Sequence, residues 1–513
     1  MQPSYNLANG QRFHSNNMKS LFPGFDSMVD VTDAMIQDYT ERVSVYLKKY
    51  RDIINSFCID LFVGDNSKVF PDELLADVDA VFQSQDSYNA ATQQLSAPQS
   101  ASDFLKTFLA ESKQLILPRK NVNTLPIPES HYSLKYQIDS DKAQQNIHFV
   151  NFVRSHLKTE APTFIDLGAG KGYLSSYLSF DLGQKAIAVE ASEKHAISFV
   201  KRLGALCQRH YKSVYFNMIG KNNMQNQQQS EQKLQKPVDF SICVKFINAT
   251  TNGCDIASQS LSLSDFYQKF ACKQKLINKQ DQHVKHHFIQ GNQAEVLQLN
   301  AKSQQSYEQF VTLGLHACGN LSIIALKMLN QPDIRQSFTI PCCYFHQTEL
   351  LSEESTKAFA ELEVESGDIQ EIGGLKILKP VLSYACCGFD EKLDAVLGQT
   401  KKLFNRAALQ IFRSKDRKCV LQLENEDVVE WIQKVCGQEG VKVDKEEIIE
   451  VLGGLDARFV RANYLMRQIT GQVVESLILM DRLIWIYHQK YEGGIQHCMG
   501  GLSGRGFVVH ASK

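Results

Sequence analysis

The run Phe164-Ile165-Asp166-Leu167-Gly168-Ala169-Gly170-Lys171-Gly172-Tyr173-Leu174-Ser175 narrows what this chain can fold into more than any other stretch. An apolar strand run ends in Asp166, opens into three glycines and resumes as a helix start. Glycine reaches positive φ without a Cβ penalty. The first N–H groups of a helix have no partner inside it and can meet a ligand. The unit reads as strand, ligand-cradling loop and helix, and the glycine spacing selects among ligands. Dinucleotide-binding units take G-x-G-x-x-G. Here the third glycine falls one position early, and Tyr173 stands where Gly or Ala is expected, so the pattern is D-x-G-x-G-x-G. A second acid should end the next strand, about 20 residues on. Ala186-Ile187-Ala188-Val189 is that strand run and Glu190 that acid. A glycine-rich turn without a ligand is the competing reading, and the ordered succession of strand, loop, helix, strand and acid argues against it.

With 513 residues, the chain has room for two or three domains with full cores. A hydrophobic share of 43% and a charged share of 22% belong to a globular protein. The formal net charge of -1 excludes a global basic field, so any nucleic-acid contact must come from a local patch. The 13 cysteines include the adjacent pairs Cys342-Cys343 and Cys386-Cys387, which read as reduced thiols in a cytoplasmic or nuclear setting. Met1 to Gly10 lacks the parts of a signal peptide. The most apolar helix, Val473 to Tyr487, is interrupted by Glu475, Asp481 and Arg482, which argues against a membrane span.

Residues 28–120 read as helices, with Thr32 placed to cap the first. The proline-bearing run 117–130 reads as a linker, and a helix from Ser140 to Leu157 leads into strand one. The expected core is strand one at 163–167, a helix at 172–179, strand two at 185–189 and a helix from Glu193 to about Leu206. Strand three is expected at Lys285–Gln290, strand four at 310–315 and strand five at 337–341. Residues 211–282 are an Asn-, Gln-, Lys- and Ser-rich insert. Inside it, Phe240–Phe246 reads as a local strand or hairpin. Residues 349–465 read as a helical insertion, and the helix 472–490 returns to the sheet. Ile495–Met499 and Gly506–Ala511 flank a glycine-rich turn and read as a closing antiparallel hairpin. The expected domains are a helical region 1–135, a sheet domain 136–348 with 466–513, and a helical insertion 349–465. The fold class is α/β: a Rossmann-like, mostly parallel sheet with a closing antiparallel hairpin and added helical segments.

Reactive groups in such sheets sit at the carboxyl ends of strands. After the strand-four run comes His316-Ala317-Cys318-Gly319-Asn320. His316 is a candidate general base near neutral pH, and a buried turn is the competing reading. After strand five comes Pro341-Cys342-Cys343-Tyr344-Phe345-His346. Three readings stay open. Cys318, Cys342 and Tyr344 line an acceptor pocket; or a Pro-Cys thiolate acts as a nucleophile; or His316, Cys318, Cys342, Cys343 and His346 hold zinc. No close C-x-x-C pair supports the last, so the pocket wall is the working assignment and no metal is assigned. His283, His286 and His287 read as a solvated surface. Lys401, Lys402, Arg406, Arg413, Lys415, Arg417 and Lys418 form a basic segment with Phe404 and Phe412 interleaved, either a solvated helix face or a phosphate contact.

Taken together, these blocks resemble the methyltransferase-like 25 family. The glycine-rich loop looks like motif I of class I methyltransferases. The matching stretches are 165–175, Gly314-Leu315-His316-Ala317-Cys318-Gly319-Asn320-Leu321, Ile340-Pro341-Cys342-Cys343-Tyr344, Arg406–Gln410 and Glu475–Leu483. A weaker similarity joins the first block, the His-x-Cys-Gly and the Cys-Cys to the tRNA 2′-O-methyltransferases of the acceptor stem. The resemblance implies a class I methyltransferase sheet, S-adenosylmethionine as cofactor and RNA as the first substrate class. It implies cofactor contacts from Asp166, Gly168, Ala169, Gly170, Gly172 and Tyr173, with Glu190 on the ribose. Gln290 or Asn292, after the expected strand three, would reach the adenine edge. A protein substrate, or a cofactor-binding scaffold without turnover, is the alternative. Methylation of a base amino group would place an Asn/Asp-Pro-Pro-Tyr/Phe loop after strand four, and this chain has His-Ala-Cys-Gly there.

Overall fold

A computed structural model of the protein describes residues 31–56, 58–63, 66–119, 122–190, 192, 194–195, 198–199, 201–202, 205–206, 243–246, 309–386, 392–413, 427–503 and 505–513. In chain order the strands are Thr163–Leu167 (β1), Ala186–Glu190 (β2), Cys243–Phe246 (β3), Phe310–Cys318 (β4), Ile334–Cys342 (β5), Ile369–Ile372 (β6), Leu375–Leu378 (β7), Glu492–His497 (β8) and Phe507–Ser512 (β9). Chain contacts sort the described residues into two units. One joins those up to Pro118 with Gln347–Ile484; the other joins Arg119–His346 with Trp485–Lys513.

The second unit is built on a seven-stranded sheet in the order β3-β2-β1-β4-β5-β9-β8. The first five strands run parallel, and β9 is antiparallel to both β5 and β8. β1 is the middle one of the five parallel strands, pairing Ile165 with Ile187 on one side and Thr312 on the other. All five of its residues are buried, as expected of a strand covered on both faces. The helix Ser140–His156 buries Ile147, Phe149, Val150 and Val153 in one cluster with Phe164, Val311, Leu313, Phe338 and Val508. Each fully buried large side chain of this kind stabilises by roughly 1.5–3 kcal/mol. This is the class I topology expected from the sequence, with the closing hairpin at β8–β9.

Strand three is corrected. The position beside β2 is taken by Cys243–Phe246, with Ala188 paired to Val244 and Glu190 to Phe246. The short run Cys243–Phe246 supplies it, so the edge strand lies inside what reads as the insert. Gln290 and Asn292 therefore do not follow strand three, and they lie outside the described residues, as do His283, His286 and His287. Two strands also run further than their apolar stretches suggest. β4 continues through His316 to Cys318, and β5 begins at Ile334.

The first unit is mostly helical. Thr32 caps the helix Asp33–Lys49, its Oγ1 accepting from Met35 N at 3.4 Å. The expected helix at 472–490 is one 31-residue helix, Arg458–His488, and its length up to Ile484 clusters with this unit rather than with the sheet. Its interrupting charges are buried, not solvated. Asp481 accepts from Leu351 N, Ser352 N and Ser352 Oγ. Arg482 donates to Ile478 O, to Asp481 Oδ2 at 2.9 Å and to Gln347 Oε1 at 2.6 Å. No described helix is long and apolar enough to cross a membrane. The hairpin β6–β7 was not foreseen; Gly373 and Gly374 make its two-residue turn, both at positive φ.

Candidate active site

The loop after β1 folds onto the end of β2. Gly168 N and Ala169 N donate to Val189 O at 2.9 and 3.0 Å. Gly172 sits at φ +71°, and a Cβ there would lie 1.9 Å from the Phe199 ring, so only glycine fits. Gly170 is the contrasting position: it too has positive φ, but a Cβ would meet nothing nearer than Gly168 O at 3.9 Å. Its outer side faces open space. Glu190 ends β2 and locks the loop. Its carboxylate accepts from Gly170 N at 2.6 Å and from Ser192 N at 2.7 Å, and His195 Nδ1 lies 3.7 Å away. A carboxylate has about four lone-pair sites, so these bonds leave capacity for a ligand's hydroxyls.

Asp166 does not face that open side. It is 2% exposed and accepts from Ser175 Oγ at 2.5 Å, tying the strand end to the following helix. Burial first, and the nearby Glu190 charge, push its carboxyl up to about 6. Tyr173 also turns away: its hydroxyl donates to Gln137 O, and the Arg202 guanidinium lies 4.7 Å from its ring centre. Both residues shape the cradle rather than line it.

The other half of the edge lies at the ends of β4 and β5. Gly314 pairs with Thr339 but Ala317 pairs with Pro341, so β4 carries one extra residue. This is a β-bulge, which re-aims a side chain where it occurs. His316 sits in it at φ +63°, a conformation that costs a non-glycine residue roughly 1–2 kcal/mol. Its Nε2 lies 2.8 Å from Gln145 Oε1. The Gln145 amide nitrogen donates to Leu502 O at 2.7 Å, which fixes the oxygen toward the histidine. The ring therefore carries its proton on Nε2 and keeps a lone pair on Nδ1. Burial, with Arg505 and Lys142 nearby, pushes the imidazole down to about 4. His316 is neutral across physiological pH and is a hydrogen-bond acceptor there, not the strong base expected for a neutral-pH role.

Beside it, Cys318 Sγ lies 3.0 Å from Cys342 Sγ and 3.4 Å from Cys343 Sγ. Hydrogen bonds from its neighbours, with Arg505 and His346 nearby, pull the Cys343 thiol down to about 5. Its bonds to Cys318 and Cys343, together with burial, push Cys342 up. That is the wrong direction for a thiolate nucleophile at Cys342. Tyr344 is buried, with its hydroxyl directed at Pro341 O, so it packs beneath the edge rather than lining a pocket.

A family model described as a methyltransferase domain matches residues 141–349, from the helix before β1 past the end of β5. The human protein named probable methyltransferase-like protein 25 is 23% identical over 408 residues, covering 64% of this chain and 66% of that one. The chain carries a methyltransferase domain. A domain of this kind implies a methyl donor, and in this chain the parts that could hold it are the loop 168–172 and Glu190. The sequence did not single out Gln145 or Arg505 as parts of the edge, and it brought in Cys343 only through the zinc reading. Cys343 had a signal in its pairing with Cys342. Gln145 had none, because it acts from a helix 171 positions before His316. Of the basic segment, Lys401, Lys402 and Arg406 are exposed on the helix Leu393–Ile411. Arg413 is not available: it is buried and forms a two-toothed ion pair with Glu439, its Nε donating to Oε2 at 2.8 Å. Phe404 stacks edge-on against Phe62, and Phe412 packs in a helical core. Lys415, Arg417 and Lys418 lie outside the described residues.

Proposed function

We propose that this chain transfers a methyl group from S-adenosylmethionine to a hydroxyl of RNA. The observation that carries this reading is Glu190 closing the glycine loop through Gly170 N at 2.6 Å, at the carboxyl edge of a parallel sheet. The residues suit a nucleoside donor. The open face at Gly170 admits its body, and Glu190 has lone pairs left for ribose hydroxyls. When bound, the donor supplies an electrophilic methyl carbon. The chain's own part is alignment. Gly168, Ala169, Gly170 and Gly172 shape the cradle, Glu190 orients the sugar, and Asp166 and Tyr173 hold the loop from behind. His316, neutral with Nδ1 open, accepts a hydrogen bond from the acceptor hydroxyl, sets its direction and relays the proton that the oxygen loses to solvent as it takes up the methyl.

RNA is favoured over protein by the similarity to acceptor-stem 2′-O-methyltransferases, and a hydroxyl over a base amino group by the lack of a base-amino loop after β4. Lys401, Lys402 and Arg406 are the phosphate contacts this reading assigns. The test has two stages. The full chain is titrated with S-adenosylmethionine, and Glu190→Ala is expected to weaken binding at least about tenfold, the loss of one charged hydrogen-bond acceptor. Radiolabelled methyl is then followed into cell extract. Label released by nuclease supports the proposal. Label released by protease makes this a protein methyltransferase, and tight cofactor binding without label makes it a scaffold; either overturns RNA transfer.

A further inference from the structure

We propose that Cys318, Cys342 and Cys343 form a three-thiolate site for a zinc-class ion at the carboxyl ends of β4 and β5. The proposal rests on the placement of the sulfurs and is independent of the methyl-transfer reading. Among the described residues these three Sγ atoms lie within 4.8 Å of one another, and the ring nitrogens of His316 and His346 are not part of that set.

The placement is built, not incidental. Cys318 and Cys342 are register partners on adjacent parallel strands, so their side chains leave the sheet side by side. Cys343 should point to the opposite face, because successive strand residues alternate. It does not, because its backbone sits at φ +51°, in the left-handed region. That strained turn swings the third sulfur back to the other two. Such outliers cluster where a ligand or a reaction needs them. Two backbone bonds hold the turn. Gly319 N donates to Cys342 O and His346 N to Cys343 O, each at 2.9 Å. Gly319 is needed for this closeness, since a Cβ there would lie 2.9 Å from His346 O.

The donor set suits zinc, which takes thiolates at about 2.3 Å and so spaces sulfurs about 3.8 Å apart in a tetrahedron. The sulfurs here stand 3.0 and 3.4 Å apart, and opening the triangle by less than about 1 Å seats the ion. Three thiolates and a divalent cation leave one negative charge, and Arg505 Nη1 lies 3.7 Å from Cys343 Sγ to balance it. Cys318 is exposed, so the fourth coordination position opens to solvent, the arrangement of zinc sites that bind an exchangeable ligand.

The test uses the full chain in reducing buffer. Metal is removed with a chelator, and zinc or cobalt(II) is added back. About one zinc per chain is expected to be retained through desalting, and cobalt(II) is expected to give thiolate-to-metal charge-transfer absorption. Cys343→Ser is expected to weaken zinc binding at least about tenfold, and Cys498→Ala, a buried thiol outside the site, to leave it unchanged. Should Cys343→Ser fail to fold, the cobalt spectrum of the parent chain decides alone. A parent chain that retains no zinc and shows no charge-transfer band overturns the proposal. A Cys318–Cys342 disulfide mapped in reducing buffer overturns it as well.

Discussion

The loop after β1 and the ends of β4 and β5 occupy the same edge of one sheet, yet they are made of different materials. The loop is a backbone device. Its shape comes from glycines at positive φ, from N–H groups donated to Val189 O, and from one carboxylate, Glu190, that ties it shut. The β4–β5 edge is a side-chain device. Imidazole and thiols stand on residues that are themselves strained, His316 at φ +63° and Cys343 at φ +51°. In the loop, glycine removes the strain; at the edge, strain is kept because the side chain is needed. Substitutions in the loop should therefore act through sterics, and those at the edge through charge and proton position.

The sharpest way to break this contrast is within the loop itself. Gly172→Ala places a methyl 1.9 Å from the Phe199 ring at φ +71°. The left-handed backbone costs roughly 1–2 kcal/mol and the overpacking about 1–3 kcal/mol more. Urea unfolding should show a loss of that combined size, with cofactor binding gone. Gly170→Ala bears a similar backbone cost but meets open space. It should lose only about 1 kcal/mol of stability and still bind donor poorly, because its methyl enters the face the donor needs. Equal destabilisation by the two variants would show that the loop is not divided into a packed side and a binding side.

A smaller effect comes from a titrating group behind the loop. Asp166 is fully buried and titrates at about 6 instead of 3.8. The folded state thus holds this proton more tightly than the unfolded chain does. The stability it contributes is complete below pH 3.8 and is lost as pH rises through about 6. The full span is on the order of 3 kcal/mol. Asp166→Asn keeps an oxygen for Ser175 and removes the titration. Relative to the parent, the variant should be less stable at pH 4 and gain on it steadily to pH 7. Parallel urea-midpoint profiles for the two proteins across that window would rule out a buried, titrating Asp166.

How far each region was legible follows from the same contrast. The loop could be read because backbone geometry dictates residue type: Gly172 is glycine for reasons that hold in any chain with that turn. Glu190 followed from the length of one strand–helix–strand unit. The β4–β5 edge could be located but not drawn. His316 and Cys318 were expected beyond strand four, whereas β4 runs through both, because a bulge depends on the neighbouring strand and leaves no local pattern. The run Phe240–Phe246 was read as a local strand but not as strand three, for a related reason. A four-residue edge strand is defined by pairing with β2, not by its own apolar length. Arg413 looked like its basic neighbours until the fold brought Glu439 to it across 26 positions.

The smallest expected effect tests the edge as a device of proton position. Gln145 is buried, and it touches both the closing hairpin, through Leu502 O, and the His316 ring. Gln145→Leu removes both bonds and should cost about 1–3 kcal/mol, the range for leaving a buried partner unsatisfied. Gln145→Glu also loses the bond to Leu502 O, yet it changes the histidine more: a carboxylate at 2.8 Å favours the imidazolium, so the ring should titrate well above its present value of about 4. Nitrogen-15 spectra of histidine-labelled protein separate these outcomes. The parent should show the Nε2–H tautomer at pH 7, Gln145→Leu a mixture of tautomers, and Gln145→Glu an upward-shifted titration. A parent with its proton on Nδ1 would mean that the amide of Gln145 points the other way. The lone pair assigned to the acceptor would then be turned toward the helix, and the bulge at His316 would need another explanation.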